Sequence, residues 1–164
     1  MKKLNFGCGR DIKEGWDNID IQKSPKITKS FDFDKFPYPL KENMYDYVFL
    51  SNILEHSDKP DKVLDEIWRI TKKKGIIKII VPHYTNKGAY SDLQHRHFFN
   101  EICFKNLITQ EDNINKKNKF ELIKLELVPT IVGKFIFISQ LREKLSLFIN
   151  GLISTINVEL KVIK

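Results

Sequence analysis

The sequence predicts an α/β fold built on a mainly parallel β-sheet, and three observations support that prediction. A short apolar run at residues 4–6 breaks into a glycine turn at residues 7–9, as a strand does where its backbone must approach a ligand. An apolar run at residues 45–50 has the pattern of a central strand. A helical pattern at residues 57–75 then leads into another apolar run at residues 76–81, and a strand, a helix and a strand in this order form a right-handed parallel unit.

The remaining elements follow from local patterns. The chain has 164 residues, so we expect one domain over residues 1–164. Further strands are expected at residues 16–21, 120–128 and 156–163, with a strand end at 31–34. Further helices are expected at residues 98–109 and over an amphipathic stretch at 141–153, and polar loops at 23–30 and 110–119.

The helix at residues 57–75 carries the clearest local signals. Ser57 or Asp58 can cap its first turn, which also suits Pro60. Apolar residues at positions 63, 64, 67 and 70 fall on one face. Lysines at 72–74 would lie where the helix dipole favours positive charge, and Gly75 could close the helix in a left-handed conformation.

Charge and cysteine content narrow the function classes. The formal net charge of +7 favours acidic partners or simply aids solubility. No stretch alternates basic with aromatic residues as nucleic-acid modules do, so a nucleic-acid partner is not expected. There are only two cysteines, no secretory leader precedes Leu4, and no apolar run reaches the roughly 18–20 residues of a membrane span. We therefore expect a cytoplasmic protein without a disulfide framework.

The first two strands are unusually close in sequence. Asp20 follows the glycine turn much sooner than the roughly 20 residues that separate these features in a dinucleotide-binding fold. Residues 10–15 are too few to form a packed crossover helix. We therefore expect the first crossover helix to be shortened or missing.

Four segments stand in a recognisable order: Asn5-Phe6-Gly7-Cys8-Gly9, Asn18-Ile19-Asp20, residues 32–38 and residues 45–56. Together they resemble class I S-adenosylmethionine-dependent methyltransferases, in particular a small type-11-like group with a Gly-Cys-Gly turn and a Gly-Trp-x-Asn-x-Asp second strand. The resemblance covers about residues 3–100. It implies a Rossmann-like, mainly parallel sheet with helices on both faces and an antiparallel last strand.

The resemblance also implies S-adenosyl-L-methionine as cofactor and assigns roles around it. The glycines would let the turn pass under the methionine part, and Asp20 would hold the ribose hydroxyls. Asp32 would face the adenine amino group beside Phe33, and Ser51 and Asn52 would line the pocket near the sulfonium. The cofactor-binding residues expected in this way are Asn5, Phe6, Gly7, Cys8, Gly9, Asp20, Ile21, Asp32, Phe33, Ser51, Asn52 and His56. For the two aspartates, the alternative is a carboxylate that merely caps a turn.

Histidine suits the task of a base for a hydroxyl acceptor, and all four histidines follow predicted strands. His83, His95 or His97 is the candidate base, with Asp92 as the group that orients it. The alternative is that these loop residues make ordinary surface hydrogen bonds. A His-x-His pair beside an aspartate can bind a divalent metal, but no further ligand is evident and no metal site is predicted.

Several alternatives stay open at this point. The missing helix would expose apolar sheet surface, which a homodimer could cover. The stretch at 141–153 can be a core helix, a dimer face or a membrane-surface helix with Lys134, Arg142 and Lys144 at its edge. The activity expected is methylation of a small-molecule or glycan acceptor, with a hydroxyl favoured. A non-catalytic scaffold and, third, a nucleic-acid methyltransferase are the alternatives.

Overall fold

The computed structural model describes residues 1–109 and 119–164, which form seven strands and three α-helices. The strands are β1 (Lys3–Phe6), β2 (Asp17–Asp20), β3 (Lys29–Ser30), β4 (Tyr45–Ser51), β5 (Thr71–Pro82), β6 (Phe120–Pro129) and β7 (Ile153–Val162). The helices are α1 (Pro60–Ile70), α2 (Glu101–Thr109) and α3 (Ser139–Ser146). Short 3₁₀ turns lie at Leu54–His56, Lys87–Ala89 and Gly133–Phe135.

All seven strands belong to one sheet in the order β3-β2-β1-β4-β5-β7-β6. The five strands β3, β2, β1, β4 and β5 are parallel to one another. The last strand, β7, lies between β5 and β6 and is antiparallel to both. The mainly parallel sheet and its antiparallel last strand are therefore confirmed.

One face of the sheet holds the core. The register places Leu4, Val48 and Ile77 in one row and Phe6, Leu50 and Ile79 in the next, and all six are at most 1% exposed. The apolar positions of α1 and Phe104 of α2 belong to the same buried cluster. Burial of this continuous apolar surface is the main force that fixes α1 against the sheet.

The opposite face of the central strands is only half-buried, and its cover is a loop. Tyr47 and Phe49 of β4 point to this face. Trp16, from the β1–β2 connection, meets the Tyr47 ring edge-on at 5.5 Å between centroids. The Lys13 ammonium lies 4.9 Å from the centre of the Phe49 ring. The expected loss of the first crossover helix is confirmed, and a helical layer packs on one face of the central strands.

Asn18 holds the helix-free β1–β2 connection together. Its buried amide accepts hydrogen bonds from the Asn5 side chain and the Lys13 N–H, both at 3.0 Å. It donates to the carbonyls of Lys13 and Trp16 at 2.9 and 3.1 Å. One side chain thus satisfies polar groups that a crossover helix would have satisfied internally.

The helix predicted at 57–75 is shorter than expected. It begins at Pro60 after Lys59, without a side-chain cap, and ends at Ile70. The chain then enters β5 at once, so Lys72–Lys74 lie in a strand that is irregular against β4. Lys74, with φ 65°, has the left-handed conformation expected for Gly75. Gly75 is needed for space, because a Cβ there would lie 2.6 Å from Thr71 Cγ2 and 2.9 Å from the Lys72 carbonyl oxygen.

Three other local predictions need correction. The strand end expected at 31–34 is a turn in which Asp32 Oδ1 accepts the Asp34 N–H at 3.0 Å, and β3 lies just before it, inside the predicted loop. The amphipathic helix stops at Ser146. The loop predicted at 110–119 lies outside the described residues except for Lys119. Among the described helices, none has the length and apolar character to cross a membrane.

Candidate functional site

A cavity of about 790 Å³ opens at the carboxyl ends of β1, β2 and β4. In an open parallel sheet, this edge is where ligands bind, and the volume is in the usual range for small-molecule sites. Eleven of the twelve residues expected to bind the cofactor line this cavity: Asn5, Gly7, Cys8, Gly9, Asp20, Ile21, Asp32, Phe33, Ser51, Asn52 and His56.

Phe6 is the exception. Its ring is 1% exposed and lies 5.3 Å from the Tyr38 ring and 6.1 Å from the Phe31 ring, centroid to centroid. Successive side chains of a strand point to opposite faces, so Asn5 faces the cavity while Phe6 enters the core. Phe6 therefore supports the site from beneath.

The two glycines of the turn are needed for different reasons. Gly7 has φ +66°, and a Cβ there would lie 2.0 Å from Cδ1 of Ile53. Gly9 has φ +49°, and a Cβ there would meet no atom of the described residues within 4 Å. Gly7 lets the turn pack against Ile53, two residues after β4, whereas Gly9 leaves open space in the cavity that a cofactor can fill.

Asp20 lies at the tip of β2 and anchors the turn. Its Oδ2 accepts the Gly9 N–H at 2.7 Å, and its Oδ1 accepts the Gln22 N–H at 3.0 Å. Each carboxylate oxygen has a second lone pair that can accept a hydroxyl proton. The geometry thus combines the turn-capping role, which was the alternative, with the capacity to hold a ribose diol.

A second acidic group lines the neighbouring wall. Asp34 Oδ1 accepts the Ser57 hydroxyl at 2.5 Å and the Asp58 N–H at 3.1 Å. Asp32 lies beside it, and the Tyr38 hydroxyl donates to the Phe33 carbonyl at 2.8 Å. Asp34 therefore ties the segment after β3 to the start of α1, and this holds Asp32 and Phe33 against the cavity.

The cavity is also lined by eight residues that the sequence did not indicate as cofactor-binding: Arg10, Asp11, Gln22, Asp34, Ile53, Asp58, Gln94 and Arg96. Gln94 and Arg96 belong to the polar loop that also carries candidate base residues. The Arg96 guanidinium pairs with the Asp58 carboxylate, and the Arg96 N–H donates to the Glu55 carbonyl at 2.7 Å. Residues 94 and 96 of this loop thus reach the cavity, which periodicity alone could not have shown.

None of the proposed base residues lines the cavity. His83 is 2% exposed, its Nδ1 lies 2.8 Å from the Thr85 hydroxyl, and burial lowers its pKa against the opposing charge of Glu101. Asp92 accepts the Gln94 N–H at 2.8 Å and so shapes the loop. His95 and His97 are also absent from the cavity wall. His56, expected only to line the pocket, is the histidine that does line it.

His56 also belongs to a polar cluster at the cavity wall. Glu55, His56 and His95 each place a side-chain donor atom within 4.8 Å of the others. Burial raises the pKa of Glu55 to about 7, against the opposing effects of its own backbone and of His95. Burial, followed by the neighbouring His95, lowers the pKa of His56 below its ordinary value. The cluster thus favours a neutral imidazole at His56.

Cys8 behaves as a packing residue. It is 5% exposed, and its N–H donates to the Ile19 carbonyl at 3.0 Å, which joins the turn to β2. Burial, together with the negative charge of Asp20, raises the pKa of its thiol. A thiol kept protonated is a poor nucleophile, so the site offers no support for a covalent role.

Comparisons with known proteins agree with this geometry. A family model described as a methyltransferase domain matches residues 8–79. Among solved structures, an S-adenosylmethionine-dependent methyltransferase from Archaeoglobus fulgidus is 19% identical, with a TM-score of 0.73 over 98% of this chain and 85% of that one. One from Mesorhizobium loti is 12% identical, with a TM-score of 0.65 over 98% and 90%. The YcgJ protein of Bacillus subtilis is 11% identical, with a TM-score of 0.64 over 99% and 92%. No curated protein sequence matches the chain.

The fold and the cavity define an α/β protein of the class that binds an adenosine-type cofactor at the carboxyl edge of its sheet. At such low identities the structural likeness shows the fold, and the family match over residues 8–79 indicates a methyltransferase domain. These findings support the class I S-adenosylmethionine-dependent methyltransferase that the motifs predicted, with S-adenosylmethionine as its cofactor.

Proposed function

We propose that this methyltransferase transfers the methyl group to a hydroxyl of a small-molecule or glycan acceptor. The observation that carries the proposal is the composition of the cavity wall beyond the glycine turn, where Asp58, Gln94 and Arg96 come together. Carboxylate, amide and guanidinium groups offer the acceptors and donors that recognise several hydroxyls at once. Among the described lining residues, Phe33 is the one phenyl ring, and its expected partner is the adenine, so a flipped base would find no second stacking platform of this kind.

The chain's own residues would act chiefly by positioning. When bound, S-adenosylmethionine would supply an electrophilic methyl group to the acceptor hydroxyl, whose proton would pass to solvent. Asp20 and the turn at Gly9 would hold the adenosine and methionine parts, and Asp32 with Phe33 would hold the adenine. Fixing the two reactants in line can lower the barrier by about 7–11 kcal/mol.

Titration calorimetry with S-adenosylmethionine tests the cofactor assignment. The native chain and Glu14→Gln, an exposed acidic residue in the same connection, should bind alike. Asp20→Ala should weaken binding by at least tenfold, because it removes the carboxylate that supports the Gly9 N–H. Equal affinities for the native chain and Asp20→Ala would refute the assignment. No binding by either would instead favour the scaffold alternative.

The acceptor class is tested separately, by incubating the protein and S-adenosylmethionine with hydroxyl-rich acceptors and detecting methylated product by mass spectrometry. Gln94→Ala should raise the acceptor KM while S-adenosylmethionine affinity stays unchanged. Leu93→Ala, at a neighbouring residue that points to solvent, is the matched control. Methylation of oligonucleotides in preference to sugars would overturn the proposal.

A second surface supports contact with an anionic membrane. The β6–β7 connection, residues 131–149, exposes a run of large apolar side chains: Ile131, Val132, Phe135, Phe137, Ile138, Leu141, Leu147, Phe148 and Ile149. The core-helix interpretation of residues 141–153 is therefore wrong for its exposed apolar residues, Leu141, Leu147, Phe148 and Ile149. Exposed apolar patches of this kind mark interaction sites.

We propose a membrane surface as the occupant because of the charges around this patch. Lys134 and Lys144 are exposed among the apolar residues, and the chain carries a formal net charge of +7. Basic residues near an anionic lipid surface contribute about 1 kcal/mol each, and the apolar side chains would insert between headgroups. An acceptor carried on a lipid would then be presented at the surface where the enzyme binds.

Vesicle co-sedimentation tests this contact. The native chain should bind vesicles containing phosphatidylglycerol, more weakly as salt rises, and should bind pure phosphatidylcholine poorly. Phe137→Ser with Phe148→Ser should abolish binding, while Leu93→Ser, which removes an equally exposed apolar residue elsewhere, should not. Light scattering that shows a dimer dissolved by the same two substitutions would assign the patch to a second copy of the chain and overturn the proposal.

A further inference from the structure

Three donor groups converge behind the wall of the cofactor cavity. Glu55 and His56 belong to the 3₁₀ turn after β4, and His95 belongs to the loop between β5 and α2. One ligand atom from each lies within 4.8 Å of the other two. Around a tetrahedral ion with bonds of about 2.0–2.2 Å, donor atoms lie about 3.3 Å apart. Small side-chain rotations would therefore bring all three donors onto one ion.

Glu55 is the observation that requires an explanation. Its side chain is 1% exposed, and neither carboxylate oxygen has a hydrogen-bond partner among residues 1–109 and 119–164. A buried carboxyl group without a partner costs several kcal/mol if it is charged and still loses hydrogen bonds if it is neutral. Such a group in a folded protein points to a ligand that satisfies it.

His95 is oriented as a metal ligand would be. Its Nδ1 lies 2.7 Å from the Ala89 carbonyl oxygen, which can only accept, so Nδ1 carries the proton. The Nε2 lone pair is then free for a cation. A ring nitrogen that donates to a backbone carbonyl is the usual support of a metal-bound imidazole. The His56 ring meets the His95 ring edge-on, with centroids 4.6 Å apart.

The backbone holds the two halves of the cluster together. The Glu55 carbonyl accepts hydrogen bonds from the Arg96 N–H at 2.7 Å and the His97 N–H at 3.2 Å. These bonds join the turn that carries Glu55 and His56 to the loop that carries His95. The donor set is thus preorganised across two segments that are distant in sequence, which limits the entropy lost when an ion binds.

We propose that Glu55, His56 and His95 form a binding site for one divalent transition-metal ion, with Zn²⁺ as the best match. Two imidazoles and one carboxylate suit Zn²⁺, whereas Mg²⁺ prefers oxygen ligands. Three protein ligands leave at least one coordination position open. Because His56 also lines the cofactor cavity, that position lies near the place where an acceptor oxygen would bind.

This ligand set differs from the His-x-His pair beside an aspartate that the sequence suggested. His97 and Asp92 are not part of the cluster, although His97 belongs to the same His-x-His pair as His95. Two of the three ligands, Glu55 and His56, come instead from the turn after β4, a segment that only the tertiary fold brings against the loop.

Metal binding can be measured on the full chain, freed of any affinity tag and stripped of metal, without reference to catalysis. Titration with Zn²⁺ should show one site, and Co²⁺ should give the visible absorption of a tetrahedral ion. Glu55→Gln, which keeps the shape of the side chain, and His95→Ala should each weaken Zn²⁺ binding by at least 10–100-fold. His97→Ala, the adjacent histidine outside the cluster, should bind Zn²⁺ as the native chain does.

Thermal unfolding, measured with and without Zn²⁺, distinguishes the loss of metal binding from damage to the fold. Added Zn²⁺ should raise the melting temperature of the native chain and of His97→Ala, but not that of Glu55→Gln. Absence of a stoichiometric Zn²⁺ site in the native chain would overturn the proposal. Equal losses of affinity in His97→Ala and His95→Ala would also overturn it. Because every readout is metal binding, the result is independent of whether the acceptor or the cofactor assignment holds.

Discussion

Substituting alanine for Gly7 should destabilise the protein much more than the same change at Gly9. At Gly7, the new Cβ would lie 2.0 Å from Cδ1 and 2.4 Å from Cγ1 of Ile53, so the side chain of Ile53 or the turn must shift. Overpacking of this kind costs about 1–3 kcal/mol, and a left-handed conformation in a non-glycine residue adds about 1–2 kcal/mol. At Gly9, only the conformational cost of about 1–2 kcal/mol remains.

Gly7→Ala should therefore be the less stable variant, and Gly9→Ala should be the weaker binder of the cofactor. In urea denaturation, Gly7→Ala should lose about 2–5 kcal/mol, and Gly9→Ala should lose less than half of that. In calorimetry, Gly9→Ala should be the worse binder of S-adenosylmethionine, because its Cβ enters the open space of the cavity.

A double substitution identifies the cause. If the clash with Ile53 is responsible, Ile53→Ala should remove part of the penalty, so that Gly7→Ala with Ile53→Ala is more stable than the two separate losses predict. Coupling energies between residues in contact are about 0.5–3 kcal/mol. Additive losses, or equal destabilisation by alanine at Gly7 and Gly9, would refute the steric argument.

Three further changes test how the fold supports the site. Asn18→Ala should lower the free energy of unfolding by about 2–4 kcal/mol, because it leaves buried polar groups of the β1–β2 connection unpaired; circular dichroism in urea measures it. Gly75→Ala should cost about 1–3 kcal/mol, and Thr71→Ser, which removes the methyl group in contact but keeps the hydroxyl on the Ile67 carbonyl, should recover part of it. Burial raises the pKa of Glu66, but hydrogen bonds from Arg69 and the Tyr38 N–H outweigh it and lower that pKa below its usual range. The carboxylate therefore stabilises the fold above the unfolded pKa of about 4.3, and this effect is lost as pH falls through the lower folded pKa. Glu66→Gln should lower the free energy of unfolding by about 1–3 kcal/mol at pH 7 and hardly change it at pH 2. An equal loss at both pH values would contradict this.

Local patterns predicted much of the sheet because its strands are short, apolar and punctuated by glycine, proline and polar residues. β1 and β4 lie where the sequence placed them, and β5 contains the strand predicted at 76–81 but begins at Thr71. The end of α1 was missed because Lys72–Lys74 and Gly75 have the composition of a helix terminus. Their strand conformation depends on pairing with β4, which local propensity does not describe.

Most of the cavity lining could be predicted from sequence because its residues follow strands directly, and the carboxyl ends of parallel strands meet at one edge. The wall formed by Gln94 and Arg96 could not, since their loop is held there by the hydrogen bond from the Arg96 N–H to the Glu55 carbonyl. Residue type alone made the loop histidines candidate bases, but His83 is buried and His95 and His97 do not line the cavity.

The sequence by itself determined the class of protein, because the glycine turn, the acidic strand tip and the order of strands and helix are local features with local causes. Only the tertiary structure decided which side chains share a space. It moved Phe6 into the core, gave Gly7 and Gly9 separate tasks, and brought His95 against Glu55 and His56. These outcomes depend on packing and on hydrogen bonds between segments far apart in the chain, and no periodicity in the sequence records them.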